Sequence, residues 1–128
     1  MKLLITGDLV LGPKYIPIVH GAYGGDCKNL ERILEYISTM GHCCEMLIPG
    51  HGPICGLAAV QEQRDYLQAL REGVSNSRRL GLNLEETKSS LQLEPFRNHI
   101  FYEFAHANNI ESFWHEAETA LRGTPPAE

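Results

Sequence analysis

The sequence predicts an α/β domain. Three observations carry that reading. The chain is 128 residues long, the length of one ordinary domain. Its apolar fraction of 43% is enough for a core. Its hydropathy pattern runs strand, helix, strand, helix, an order that lays helices against a sheet.

The elements follow in chain order. Leu3-Leu4-Ile5 reads as a short buried strand, stopped by the turn residues Thr6-Gly7-Asp8. Gly12 to Gly25 holds two prolines and four glycines with no period, and reads as a loop. Leu30, Ile33, Leu34 and Ile37 recur at helical spacing, so a helix starts at Asp26, its N-cap, and leaves through Gly41. Glu45-Met46-Leu47-Ile48 is the second strand, cut off by Pro49 and Gly50. A long helix spans 57–80, with Val60, Leu67, Leu70 and Val74 as its inward stripe. Asn83 opens a third helix, with Glu86 as its capping-box partner and Pro95 as its end. The last helix covers 109–122, with Ile110, Phe113, Trp114, Ala117 and Leu121 on one face. The domain is thus expected over 1–122, followed by a frayed tail at 123–128.

Charge and cysteine usage narrow the function classes. Eleven Lys+Arg against 16 Asp+Glu give a formal net charge of −5 without a basic tract, which speaks against a nucleic-acid partner. No apolar run approaches the roughly 20 residues that cross a bilayer, and Asp8 interrupts the first one too early for a secretory signal. The expectation is a soluble chain made in the cytoplasm, with no membrane partner. Cys27, Cys43, Cys44 and Cys55 form no Cys-x-x-Cys pair. His42, Cys43, Cys44, His51 and Cys55 crowd together and could form a thiol-rich metal or redox site. Adjacent cysteines should point in different directions, however, and free thiols, buried or half-buried, are the simpler reading.

Two strand-end loops carry the candidate chemistry. In Thr6-Gly7-Asp8 a glycine allows a sharp exit and a carboxylate follows at once. In Pro49-Gly50-His51-Gly52-Pro53 one histidine is bracketed by two glycines and two prolines, which leave its backbone little freedom to lose. Ligand sites in open α/β sheets sit at the carboxyl ends of the strands. Asp8 and His51 are therefore candidate metal ligands, and Asp and His donors suit zinc. Simpler readings stand beside these: Asp8 as a turn cap, and His51 and His20 as plain loop histidines. His106 reads as a side chain satisfied by a nearby helix end, and Phe113 and Trp114 as core. Glu62, Arg64, Asp65, Arg71 and Glu72 read as a solvated helix face with i,i+4 pairs.

Leu4-Ile5-Thr6-Gly7-Asp8 with Leu47-Ile48-Pro49-Gly50-His51-Gly52-Pro53 resembles the last two metal-binding motifs of the metallo-β-lactamase-fold hydrolases. The spacing of 43 positions, with a helix and a strand between, matches that family's order. The run from Glu62 to Arg71 looks like the family's C-terminal helix. His106, Asn109-Ile110, Glu116 and Glu118 look like the end of the quinoprotein relay-system zinc metallohydrolase branch. The resemblance implies an αββα sandwich and a dizinc site that activates water against a small-molecule substrate. In it Asp8 and His51 would ligate metal without acid–base work.

The family's first motif, His-x-His-x-Asp-His, is missing from this sequence, whose six histidines form no such run. The expected fold is accordingly the C-terminal half of the sandwich, with the rest of the metal shell supplied from upstream. Such a half should bind zinc weakly or not at all and be inactive alone. It should also expose Leu3, Leu4, Ile5, Met46, Leu47 and Ile48 and self-associate through its half-sheet. The alternative is a non-catalytic binding or assembly module that kept the half-fold.

Overall fold

Two short parallel strands lie side by side and open onto the same end of the molecule. A computed structural model describes residues 2–19 and 27–121. Strand β1 (Leu3–Gly7) pairs with β2 (Met46–Pro49), and helix α1 (Cys27–Ser38) lies between them in sequence. Leu3, Leu4 and Ile5 face Met46, Leu47 and Ile48, and the register shifts before Gly7 meets Pro49. Helices α2 (Ala58–Arg79), α3 (Leu84–Ser90) and α4 (Tyr102–Leu121) complete a mixed α/β fold.

The core is the one the stripes specify. Leu34 of α1, Leu47 of β2, Val60, Leu67 and Leu70 of α2 and Ile110 of α4 are all fully buried. Leu30 and Ile33 pack against them from the edge of the same stripe. Among the described residues, the sheet is covered on one side only. Leu47 is sealed, whereas Leu3 and Ile5 on the opposite face of the pleat are 48% and 75% exposed. Of the six residues expected to be open, Leu47 is therefore buried, and Leu4, Met46 and Ile48 are half-buried. The reason is alternation: paired residues share a face, and only every second position looks outward.

Several boundaries differ from expectation. The exit of α1 is at Ser38, ahead of Gly41, and a 3-10 turn follows over Met40–His42. Ser38 and Thr39 turn their hydroxyls back onto the Glu35 and Tyr36 carbonyls, which competes with further helix. Helix α3 opens on the expected Asn83–Glu86 capping box but ends at Ser90, and Pro95 sits within a separate 3-10 turn at Glu94–Phe96. Helix α4 begins at Tyr102, seven residues before the expected start. Its inward positions there are Tyr102, Ala105, His106 and Asn109, and two polar side chains among the four hide the apolar period. The expected N-cap Asp26 and the tail at 123–128 lie outside the described residues. Among the described residues, no helix is long and apolar enough to cross a membrane.

Candidate metal centre

Because β1 and β2 are parallel, their carboxyl ends deliver Asp8 and His51 to one edge. Gly7 leaves β1 with φ 54°, and the chain turns through hydrogen bonds from Leu9 N to Thr6 O and from Val10 N to Gly7 O. The second loop is laced to the first, with Gly50 N donating to Val10 O at 2.9 Å and His51 N to Leu11 O at 2.8 Å. Glycine is required at two positions of this seam. A Cβ on Gly50 would lie 2.0 Å from Asp8 Oδ1, and one on Gly12, at φ 137°, would lie 2.5 Å from the His51 carbonyl oxygen.

The outcome is a defined pair. His51 Nε2 stands 3.6 Å from Asp8 Oδ1, with the side chains 45% and 76% exposed. Two zinc bonds of about 2.0–2.1 Å at a tetrahedral angle hold their donors about 3.3 Å apart, so the pair fits one ion in kind and spacing. It fills half of a tetrahedral shell. Among the described residues, no three His, Cys, Asp or Glu side chains gather into a larger donor set.

Aromatic rings fix the imidazole from the other side. Tyr15 lies 5.9 Å from the His51 ring, and Phe101 meets it edge-on at 5.7 Å and 90°. The two rings also touch each other, centroid to centroid 5.5 Å. Their loops are joined by hydrogen bonds from Ile16 N to Ile100 O and from Ile100 N to Lys14 O. Lys14 and Phe101, flanking that bridge, hold left-handed backbones at φ 63° and 74°. Such angles are strained for side chains of this kind, and strain of this sort clusters where geometry is functional.

Gln63 completes the frame from α2. It is 2% exposed, its amide nitrogen donates to Leu9 O at 2.7 Å, and its amide oxygen accepts from Leu11 N at 3.3 Å. The backbone on the far side of Asp8 is thereby pinned to a helix. Motif reading missed Gln63, Tyr15 and Phe101. Gln63 did leave a signal, a polar residue standing in the inward stripe between Val60 and Leu67.

The remaining candidates resolve into structural roles. His106 is 5% exposed and its Nε2 donates to the carbonyl of Leu91, the C-cap of α3, as the helix-end reading expected. With Nε2 protonated, Nδ1 accepts from Tyr66 Oη at 2.8 Å, and burial pulls the His106 pKa down. Asn109 Nδ2 donates to Tyr66 Oη and to Pro17 O, while its Oδ1 accepts from Val19 N. His99 Nδ1 is buried without a hydrogen bond, 3.9 Å from Glu62, and burial lowers its pKa although Glu62 opposes this. His20 lies outside the described residues.

The cysteines are free, and His42, Cys43, Cys44 and Cys55 build no ligand cluster with His51. Contrary to expectation, Cys43 and Cys44 turn their sulfurs toward each other, to 3.8 Å. The helix face expected to be solvated is only partly so. Gln61–Asp65 and Gln68–Glu72 are exposed i,i+4 pairs, whereas Arg71 is half-buried and bridges Glu31 of α1 and Glu116 of α4. Glu62 accepts from the Lys14 backbone N–H at 2.6 Å. Both turn inward because loops and helices from elsewhere in the chain cover that flank, which helical periodicity alone does not register.

Compared with known proteins, the chain matches no family model and no curated protein.

Proposed function

We propose that this chain is the C-terminal portion of a metallo-β-lactamase-fold, zinc-dependent hydrolase, in which Asp8 and His51 are metal ligands. The observation that carries the reading is their 3.6 Å approach across two strand-end loops 43 positions apart. Two residues that merely ended strands would not need glycines at 12 and 50 to let the loops close over each other. Zinc in such a site supplies a water made nucleophilic near neutral pH. What this chain contributes is ligation and orientation. Gln63 holds the loop after Asp8, Tyr15 and Phe101 hold the His51 ring, and the remaining donors come from outside the described residues.

The test is metal binding followed by complementation. The isolated chain should take up Co2+ or Zn2+ weakly, and Asp8→Ala and His51→Ala should each abolish that binding. Supplying an upstream half that carries His-x-His-x-Asp-His should give tight binding and hydrolysis that depends on both residues. Tight stoichiometric zinc in the isolated chain, or a gene with no such run upstream, overturns the reading.

A second reading draws on the open sheet face. Leu3 and Ile5, with Met46 and Ile48 beside them, form an apolar surface suited to a covering partner or a second copy. On that reading the chain is an assembly module, and no upstream half restores activity.

A further inference from the structure

A cavity lies far from the strand-end loops, between the last turns of α2 and α4. It encloses about 740 Å3, within the usual range for small-molecule sites. Val74 and Leu82 line it with Phe113, Trp114 and Ala117, and the arginines Arg71, Arg78 and Arg79 stand around it. Gln63 and Arg78 are fifteen residues apart on α2, so at 1.5 Å per residue this site and the Asp8 loop are separated by about 22 Å. It is independent of the proposed metal pair.

We infer that this cavity binds an amphipathic organic anion, its apolar body against Phe113 and Trp114 and its charged head on Arg78 and Arg79. Arg71 is already committed, bound to Glu31 and Glu116. Arg78 and Arg79 differ, having no carboxylate within ion-pairing distance among the described residues, on a chain of net charge −5. The ordinary reason for arginines in a last turn is to serve the helix's free carbonyls. Here the backbone already does so. Leu80 N donates to Asn76 O, Gly81 N to Arg78 O and Leu82 N to Ser77 O, with Gly81 at φ 80° closing the helix end. The Arg78 guanidinium lies instead over the Trp114 ring, 4.6 Å from its centroid, at the cavity rim. Arg79 touches Asn76 Oδ1 and has further donors to spare. Glu118, the carboxylate on this wall, is engaged by His115 at 3.3 Å.

Trp114 is the sole tryptophan, so its emission reports on this cavity alone. Dodecanoate, titrated below its micellar range, should change that emission saturably. Dodecanol and inorganic phosphate should bind at least about tenfold more weakly, since each lacks half of the recognition. Arg78→Gln combined with Arg79→Gln should weaken dodecanoate by about tenfold or more, and Ala117→Leu should weaken it too by adding bulk to the lining. Uptake on the open sheet face would leave Trp114 unmoved. Dodecanol binding as well as dodecanoate, or a double variant that binds normally, overturns the inference. So does emission that responds to deletion of residues 123–128 and not to dodecanoate, which would put the chain's own tail there.

Discussion

Gln63 and Leu9 are joined by a 2.7 Å hydrogen bond across 54 positions of sequence, and the carbonyl it captures follows Asp8 directly. The same side chain receives Leu11 N–H, so one buried amide holds the segment after the candidate ligand at two points.

Gln63→Leu should therefore cost stability and metal together. Leaving the Leu9 carbonyl and Leu11 N–H without partners in a buried setting costs about 1–3 kcal/mol. Urea unfolding should show that loss. Cobalt titration should show weaker binding although neither Asp8 nor His51 is altered. A variant with unchanged cobalt affinity would remove Gln63 from the site's frame.

Lys14→Gly should stabilise the chain by about 1 kcal/mol, because φ 63° strains a lysine and suits glycine. The ion pair given up, Lys14 Nζ to Glu62 at 3.8 Å, is mostly exposed and contributes little. Thermal melting of the two proteins decides it, and a lower midpoint for the variant counts against strain at this residue.

Acid should weaken the fold through His106 and His99. Burial lowers both pKa values below the ordinary 6.5, so the unfolded chain binds protons first as the pH falls. Their contribution is complete above about pH 6.5, and is lost progressively below it as the pH falls through the folded values. The urea midpoint should drop between pH 7.5 and 5.5, and less so in His106→Gln. An equal drop in the variant would exonerate His106.

Among the four thiols, Cys27 should be the last to be alkylated. Burial, reinforced by the neighbouring Glu116 carboxylate, pushes its pKa up to about 12, which leaves almost no thiolate at pH 8. Peptide mapping after iodoacetamide treatment reads the order directly. Modification of Cys27 ahead of Cys43 would contradict the burial seen here.

Any self-association of the chain should fall in Ile5→Thr with Leu3→Lys at unchanged fold, since both side chains are exposed on one face of the sheet. Light scattering across a concentration series measures this. Association that is present and unchanged in the double variant would count against this face.

Much of this architecture was legible in the sequence. The stripes of α1 and α2, both strands and the Asn83 capping box are local patterns, and local patterns survive reading one residue at a time. Asp8 and His51 were also legible, because turn glycines and prolines mark the ends of strands. Their 3.6 Å approach is different in kind, since parallel pairing of β1 with β2 creates it. Tyr15 and Phe101 were not legible. They meet only when a loop near residue 15 bridges one near residue 100, and neither loop has a period. The early turns of α4 escaped because Tyr102, His106 and Asn109 satisfy their polar atoms internally and so occupy core positions a hydropathy scale assigns to the surface.

Asn109 closes onto Pro17 O and Val19 N across 92 and 90 positions, and Ser112 adds a bond to Val19 O. During synthesis, at about 5–20 residues per second, the segment after Asp8 waits several seconds for this clasp. Until α4 has left the ribosome, residues 17–19 have no partner for those backbone groups. A stalled or shortened nascent chain would thus display a two-stranded sheet with an unfastened loop, a target for chaperones and proteases. Quality control of this segment during translation would then turn on whether α4 is finished.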